Sequence, residues 1–352
     1  MLKDKRVIVT GGTGSLGKVL VRRLLSGEIG LPRQIVVFSR DEAKQHSMRL
    51  AFQHLRTATD EVIYHNFDQL LQFRIGDVRD PQSISTAMRH ADVVFNAAAL
   101  KQVPSCEYFP YEAVQTNITG AENIIRAIRE SHLPVETVVG VSTDKACKPV
   151  NVMGMTKAVQ ERLFVRANLD VAETRFICVR YGNVLASRGS VIPLFHEQVR
   201  RGGPVTITTT DMTRFLLSLE QAVDTVFAAL KEAERGETYI PRVPSALVTD
   251  IAAALIGEQK IDVKVTGIRP GEKVHEILVS EEEAGRTIER GNYYVIKPML
   301  PELRSTERVK NALDKEYSSA DDVMNRDQVT ELLRRHKLMV GDRFVYEEDM
   351  LA

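Results

Sequence analysis

The run Thr10-Gly11-Gly12-Thr13-Gly14-Ser15-Leu16-Gly17 constrains this chain more than any other stretch. It follows the short β-branched segment Arg6–Thr10 and precedes an apolar-periodic segment over 18–25, so the glycines sit where a strand turns into a helix. Glycine there lets the backbone bend sharply and approach a pyrophosphate, while the helix start offers free N–H groups and the positive end of its dipole. Thr10, Gly11, Thr13, Gly14, Ser15, Leu16 and Gly17 are therefore candidate dinucleotide-binding residues. Such a turn belongs to a doubly wound parallel sheet of the α/β class, the Rossmann arrangement.

The first half of the chain repeats the same alternation. Strands are predicted over 34–38, 72–75, 93–96, 137–141 and 176–179, with helices over 41–55 and 151–166 among the segments between them. From Tyr181 onward, Gly-, Pro- and Thr-rich stretches at 201–210, 241–246 and 267–271 interrupt shorter helices. With 352 residues, 43% of them hydrophobic, the chain has room for one large unit and a smaller lobe. The expected division is a cofactor domain over 1–180, to which 214–240 returns, and a substrate-binding lobe built from 181–213 and 241–352. The acidic run Glu281–Glu283 reads as a solvated helix face.

Lys plus Arg and Asp plus Glu number 47 each, so no global field draws the protein to nucleic acid or an anionic membrane. Cys106, Cys147 and Cys178 are widely spaced and lack CxxC spacing, which argues against zinc or a disulfide framework and fits a reducing cytoplasm. The eight histidines are dispersed, and His275 reads as a surface helix residue. No metal site is expected. No secretory leader or run of about 20 apolar residues is present, so a cytoplasmic protein without membrane insertion is expected.

The second strand runs into Ser39-Arg40, where an NAD-selective site usually places a carboxylate against the ribose hydroxyl. Arg40 is suited instead to charge-assisted bonds with a 2′-phosphate, so NADP is the expected cofactor. Asp77 and Val78 close the third strand, with Asp77 placed to accept from the adenine amino group. Ala97, Ala98 and Ala99 follow the fourth, small enough to let a cofactor lie close.

Taken in order, TGGTGSLG, SRDE, GDVRD, NAAALKQVP, STDKA with its downstream Met-x-x-x-Lys, RYGNVLASRGSVIP, MTRF and RPGEKVHE resemble the UDP-N-acetylglucosamine 4,6-dehydratases of bacterial surface-polysaccharide synthesis. These are extended short-chain dehydrogenases/reductases, and the similarity is closest to the soluble capsule and O-antigen branch, which includes 5-epimerising members. It runs from about Lys5 to Glu316-Tyr317-Ser318-Ser319. Two features depart from the common pattern. The stretch 53–70 is longer, and Met153 stands where most short-chain dehydrogenases carry tyrosine, as it does in some members of this family.

The resemblance implies a role for each site residue. Hydride leaves C4 of the sugar, the C5 proton becomes acidic, the C6 hydroxyl is lost, and hydride returns at C6. Thr143 would then bond the 4-oxygen, Asp144 protonate the leaving hydroxyl and Lys145 remove the C5 proton. Lys157 would hold the nicotinamide ribose. Met153, which shares a helix face with Lys157, would shape the wall beside the nicotinamide. Because Met153 exchanges no proton, the acceptor of the C4 hydroxyl proton stays open between a Thr143 relay to Asp144 and solvent. Lys101 would lie near the substrate, and Asn183, Arg214, Arg269, Glu272 and Lys273 would hold the UDP. The expected partner is UDP-N-acetylglucosamine or a related UDP-sugar, and the expected assembly a homo-oligomer. A UDP-sugar 4-epimerase or reductase, and a non-catalytic NADP-sensing protein, are the competing readings; the first two normally rely on the missing tyrosine.

Overall fold

The structure, a computed structural model, describes residues 1–53, 66–185, 190–304 and 310–342. Residues 54–65, most of the long stretch noted above, and 186–189 of the RYGNV motif region lie outside these. The first half forms β1 (Arg6–Thr10), β2 (Gln34–Ser39), β3 (Leu71–Ile75), β4 (Val93–Asn96), β5 (Thr137–Thr143) and β6 (Arg175–Tyr181). The second half adds β7 (Val205–Ile207), β8 (Thr213–Phe215), β9 (Thr238–Pro241), β10 (Ser245–Leu247), β11 (Val263–Val265) and β12 (Ile277–Val279). Last come β13 (Thr287–Arg290), β14 (Tyr293–Ile296), β15 (Tyr317–Ser318) and β16 (Val323–Met324).

Nine of these form one sheet in the order β13-β14-β9-β6-β5-β4-β1-β2-β3, parallel from β9 to β3. Alternate side chains feed two helix layers. Val7 and Val9 of β1 join the core with the helices Ser15–Leu25 and Leu219–Glu232, while Ile8 packs on the other face with Ile124, Ile128 and Phe164. That two-sided burial is why these strands read as nearly continuous apolar runs. The strand order reverses between β1 and β4, and the carboxyl ends on either side of that point leave a crevice.

Strands β5 and β6 run further than predicted, past 141 to Thr143 and past 179 to Tyr181. Polar Ser142 and Arg180 tolerate burial there because each bonds Glu161. A second core, including Ile192, Phe195, Ile207, Val248, Ile251, Val329 and Leu333, holds the smaller lobe.

Two expectations are corrected. The segment Thr287–Ile296 was expected in the lobe but forms an antiparallel hairpin on the edge of the main sheet, with Tyr294 paired to Ile240. Its Ile288, Val295 and Ile296 are apolar enough to join the main core. The run Glu281–Glu283 is only partly a solvated face. Ser280 and Glu283 form a capping box that turns Glu283 inward, where Arg180 takes both its oxygens at 2.7 and 3.0 Å.

Candidate active site

A cavity of about 780 Å³ runs from the glycine turn, across the ends of β4 to β6, into the smaller lobe. Gly11 has φ +65°, and a Cβ on it would stand 2.8 Å from Ala98 Cα, so only glycine lets β1 turn this close to β4. Gly14 is the N-cap of the helix Ser15–Leu25 and gives it no side-chain cap, which leaves the first-turn N–H groups for a ligand. Gly11, Thr13, Gly14, Ser15, Leu16, Gly17, Ser39, Arg40, Asp77, Val78, Ala97, Ala98 and Ala99 all line this end. Their shape and donors fit a dinucleotide. Thr10 differs: it is buried, gives its hydroxyl to Asn96 at 2.7 Å and receives the Ala98 N–H, so it braces the turn rather than lining the cavity.

Arg40 is half-exposed at the rim, 3.9 Å from Asp77. Asp77 is bonded by Arg79 at 2.8 Å, and although burial alone would raise its carboxyl, the arginines hold it below the ordinary range.

At the end of β5, Thr143 starts a 3-10 turn, Asp144–Ala146, that puts three functional groups side by side. The Thr143 hydroxyl donates to Asp144 Oδ1 at 2.8 Å, and Lys145 Nζ donates to the same oxygen at 3.1 Å. Asp144 is 1% exposed, and its Oδ2 has no partner among the described residues. Lys145 Nζ also reaches Asn183 Oδ1 at 3.3 Å and Glu276 Oε1 at 3.2 Å. Burial would lower the Lys145 pKa, but Asp144 and Glu276 outweigh it and hold the ammonium above the usual lysine range.

The helix Val152–Asp170 carries Met153 and Lys157 past this turn. Asn151 caps it, accepting from Gly154 N at 2.8 Å while its amide donates to Gly271 O at 2.7 Å, which ties the RPGEK loop to the helix start. A Cβ on Gly154 would lie 2.1 Å from the Lys145 carbonyl oxygen, so glycine there lets helix and turn touch. Met153 is buried with Cys106 and Ala113 and lines the cavity. Lys157 donates to Val141 O at 2.5 Å and Gln160 Oε1 at 2.6 Å, and burial lowers its pKa to about 8.

The residues expected to hold UDP are brought to the opposite wall, though not all are free. Lys101, Asn183, Arg214, Arg269 and Glu272 line the cavity. Asn183 faces Lys145, and Arg214 is buried with Nη1 on the Thr213 and Val274 carbonyls. Arg269 is exposed, 4.0 Å from Glu272, whose Oε2 has no partner among the described residues. Lys273 gives its ammonium to Cys147 O at 2.6 Å. His275 lies in a bend, not a helix, and meets the Thr213 hydroxyl through Nδ1 at 2.8 Å. Glu276 went unnoticed in the sequence although it closes RPGEKVHE, because its partner Lys145 is distant along the chain. Apolar Leu194, Phe195, Ile207 and Met212 of the lobe wall were missed for the same reason.

The family model described as "Polysaccharide biosynthesis protein" matches residues 7–298. The chain belongs to this polysaccharide biosynthesis protein family. A family relative from Campylobacter jejuni, named UDP-N-acetylglucosamine 4,6-dehydratase (inverting), is 43% identical over 304 residues, 85% of each chain. A protein of Rickettsia bellii named UDP-glucose 4-epimerase is 41% identical over 344 residues, 95% of this chain and 96% of its own. Among solved structures, Pen from Bacillus thuringiensis superposes with a TM-score of 0.84 at 34% identity, covering 96% of this chain and 99% of that one. DesIV, a dTDP-glucose 4,6-dehydratase of Streptomyces venezuelae solved with NAD, has a TM-score of 0.63 at 20% identity, covering 76% and 86%, a likeness of fold alone. The family fold is that of the extended short-chain dehydrogenases/reductases. Among the described residues no helix is long and apolar enough to cross a membrane.

Proposed function

We propose that the chain is an NADP-dependent UDP-N-acetylglucosamine 4,6-dehydratase serving polysaccharide synthesis. The observation that carries the reading is the Asp144–Lys145 pair at 3.1 Å with the Thr143 hydroxyl on the same carboxylate. It puts a proton donor and a proton acceptor on adjacent residues, as needed for the neighbouring carbons C6 and C5. The nicotinamide cofactor, held by the glycine turn, Ala97–Ala99 and Lys157, supplies the hydride acceptor for C4 and the donor for C6, so no external oxidant is consumed. Thr143 orients the 4-oxygen, Lys145 removes the C5 proton, and Asp144 protonates the C6 hydroxyl as it leaves. Lys101, Asn183, Arg214, Arg269 and Glu272 hold the UDP-sugar, and the Campylobacter relative supports this substrate class by its name.

The names of the Rickettsia relatives favour a second reading, a UDP-sugar 4-epimerase. An epimerase of this fold normally uses the tyrosine whose place Met153 takes, and it would leave Lys145, the base for C5, without a task. Incubation with UDP-N-acetylglucosamine and no added oxidant, followed by mass spectrometry, separates the two. Loss of one water is expected. Unchanged mass with inversion at C4 would overturn the dehydratase reading. The Campylobacter name adds the word inverting, which we read as inversion at C5, and proton NMR of the product distinguishes that from retention.

NADP preference rests on Arg40 at the rim beside Asp77. A charge-assisted bond to the 2′-phosphate contributes about 1.5–3 kcal/mol, so Arg40→Ala should reduce the preference for NADP(H) over NAD(H) by on the order of tenfold. Calorimetry with both cofactors measures it; tighter binding of NAD(H) by the unaltered protein would contradict the assignment.

A further inference from the structure

Lys145 cannot act as a base while it keeps its third proton, and among the described residues only a few side chains stand near enough to take it. Its Nζ is 3.1 Å from Asp144 Oδ1, 3.3 Å from Asn183 Oδ1 and 3.2 Å from Glu276 Oε1. An amide oxygen such as that of Asn183 is no practical store for a proton. Asp144 already has another task in the dehydratase reading. With Met153 unable to accept the C4 hydroxyl proton, the Thr143 hydroxyl, donating to Asp144 Oδ1 at 2.8 Å, is the path by which that carboxylate receives it. The same proton then leaves with the C6 oxygen as water. Glu276 is the carboxylate that remains.

We propose that Glu276 is the proton store for Lys145, taking the ammonium proton so that the amine can remove the C5 hydrogen, and returning it when C5 is reprotonated. This rests on the dehydratase reading above. Glu276 is 2% exposed and fixed in place: its N–H donates to Ser319 Oγ at 2.9 Å, and its carbonyl accepts from Ser319 N–H at 2.8 Å, beside the β12–β15 pair. Its Oε2 is buried with no partner among the described residues, so one oxygen faces Lys145 while the other is unengaged. A buried carboxylate held this firmly against an ammonium neutralises it at rest and lies in line for its proton.

The charged groups around Lys145 are Asp144 on its own turn, Glu276 at the start of β12, Arg214 on β8 and Lys273 in the RPGEK loop. Arg214 Nε, 4.0 Å from Glu276 Oε1, opposes the transfer until a bound diphosphate takes up its charge. The protons then balance. The C4 hydroxyl proton passes through Thr143 to Asp144 and out with the C6 oxygen. The Lys145 proton moves to Glu276, the C5 proton moves to Lys145, and both return once hydride has been delivered to C6. The C4–H and C6–O bonds break and a C6–H bond forms, with two electrons leaving C4 and two arriving at C6. Glu276 acts only through Lys145, so it is a positioning and proton-holding residue.

Glu276→Gln keeps the shape and the accepting oxygen but cannot hold the proton. Enzyme in excess is mixed with UDP-N-acetylglucosamine, quenched with borodeuteride at intervals, and the sugars are analysed by mass spectrometry. The unaltered protein should give label mainly in 6-deoxy sugar. In Glu276→Gln, water loss should slow by about 100-fold or more, and label should appear in a hexose that still carries its 6-hydroxyl, the trapped 4-ketone. Glu276→Asp should recover part of the rate. Calorimetry with UDP should give a Kd within about threefold of the unaltered protein, as for an intact fold. Dehydration at the normal rate in Glu276→Gln, or slow dehydration with no trapped 4-keto hexose, would overturn the proposal and leave the dehydratase reading standing. If the unaltered protein forms neither ketone, the dehydratase reading itself fails, and the proposal with it.

Discussion

Lys145→Ala is expected to stop exchange of the C5 hydrogen with D2O and to lower turnover of UDP-N-acetylglucosamine by on the order of a thousandfold, the usual loss when a general base is removed. Its Nζ meets Asp144, Asn183 and Glu276 together. Lys145→Arg is the sharper control. It preserves a cation between the two carboxylates, yet arginine does not give up its proton, so exchange should remain lost while folding is kept. Asp144→Asn should slow both the oxidation at C4, because the amide cannot take the hydroxyl proton relayed by Thr143, and the loss of water, because it cannot supply one. Deuterium incorporation at C5, followed by mass spectrometry, checks these outcomes; incorporation at the normal rate in Lys145→Ala would mean that another group is the base.

The largest stability effect should come from Arg180, which lies behind the site and touches none of its reacting groups. Its guanidinium meets Glu161 at 2.6 and 3.0 Å, Glu283 at 2.7 and 3.0 Å and the Leu278 carbonyl at 2.9 Å, and it is 3% exposed. Arg180→Ala leaves two buried carboxylates without their cation, which costs about 3–5 kcal/mol. A Tm lower by about 5 °C should follow. The network also predicts a pH effect. Burial alone would raise the Glu283 carboxyl, but Arg180 draws it down to about 2. Its stabilisation is therefore complete above the ordinary glutamate range and is lost as pH falls from there toward 2. Thermal unfolding of both proteins from neutral to acid pH should show the difference between them narrowing over that window. An unchanged Tm in Arg180→Ala would show that the pairs contribute nothing net.

The parallel sheet was legible because its signals are local. A strand, a glycine turn and a helix lie within twenty residues at the N-terminus, and the apolar runs that follow carry the length and β-branching of strands buried on both faces. Asp144, Lys145, Met153 and Lys157 became candidates through the family resemblance, and one turn and one helix bring them together because they are close along the chain. What could not be read depends on contacts between distant segments. Glu276 reaches Lys145 only because β12 pairs with β15 and carries the chain back to the end of β5. Glu283 looked solvated because its neighbours are acidic, while the cation that buries it lies on β6. The hairpin Thr287–Ile296 followed a lobe-like region in sequence but had the apolar surface to extend the main sheet. Thr10 belonged to the glycine motif by position, yet its hydroxyl was claimed by Asn96 across the β1–β4 pair.

The central claim is that oxidation at C4, loss of water and reduction at C6 occur within one sugar molecule held over the Asp144–Lys145 pair. The most direct measurement uses UDP-N-acetylglucosamine carrying deuterium at C4, turned over in the presence of excess unlabelled NADPH, with the product examined by NMR. The account predicts deuterium in the C6 methyl group and no net consumption of cofactor. Label washed out into free NADPH, or consumption of added NADP+ in step with substrate, would contradict it.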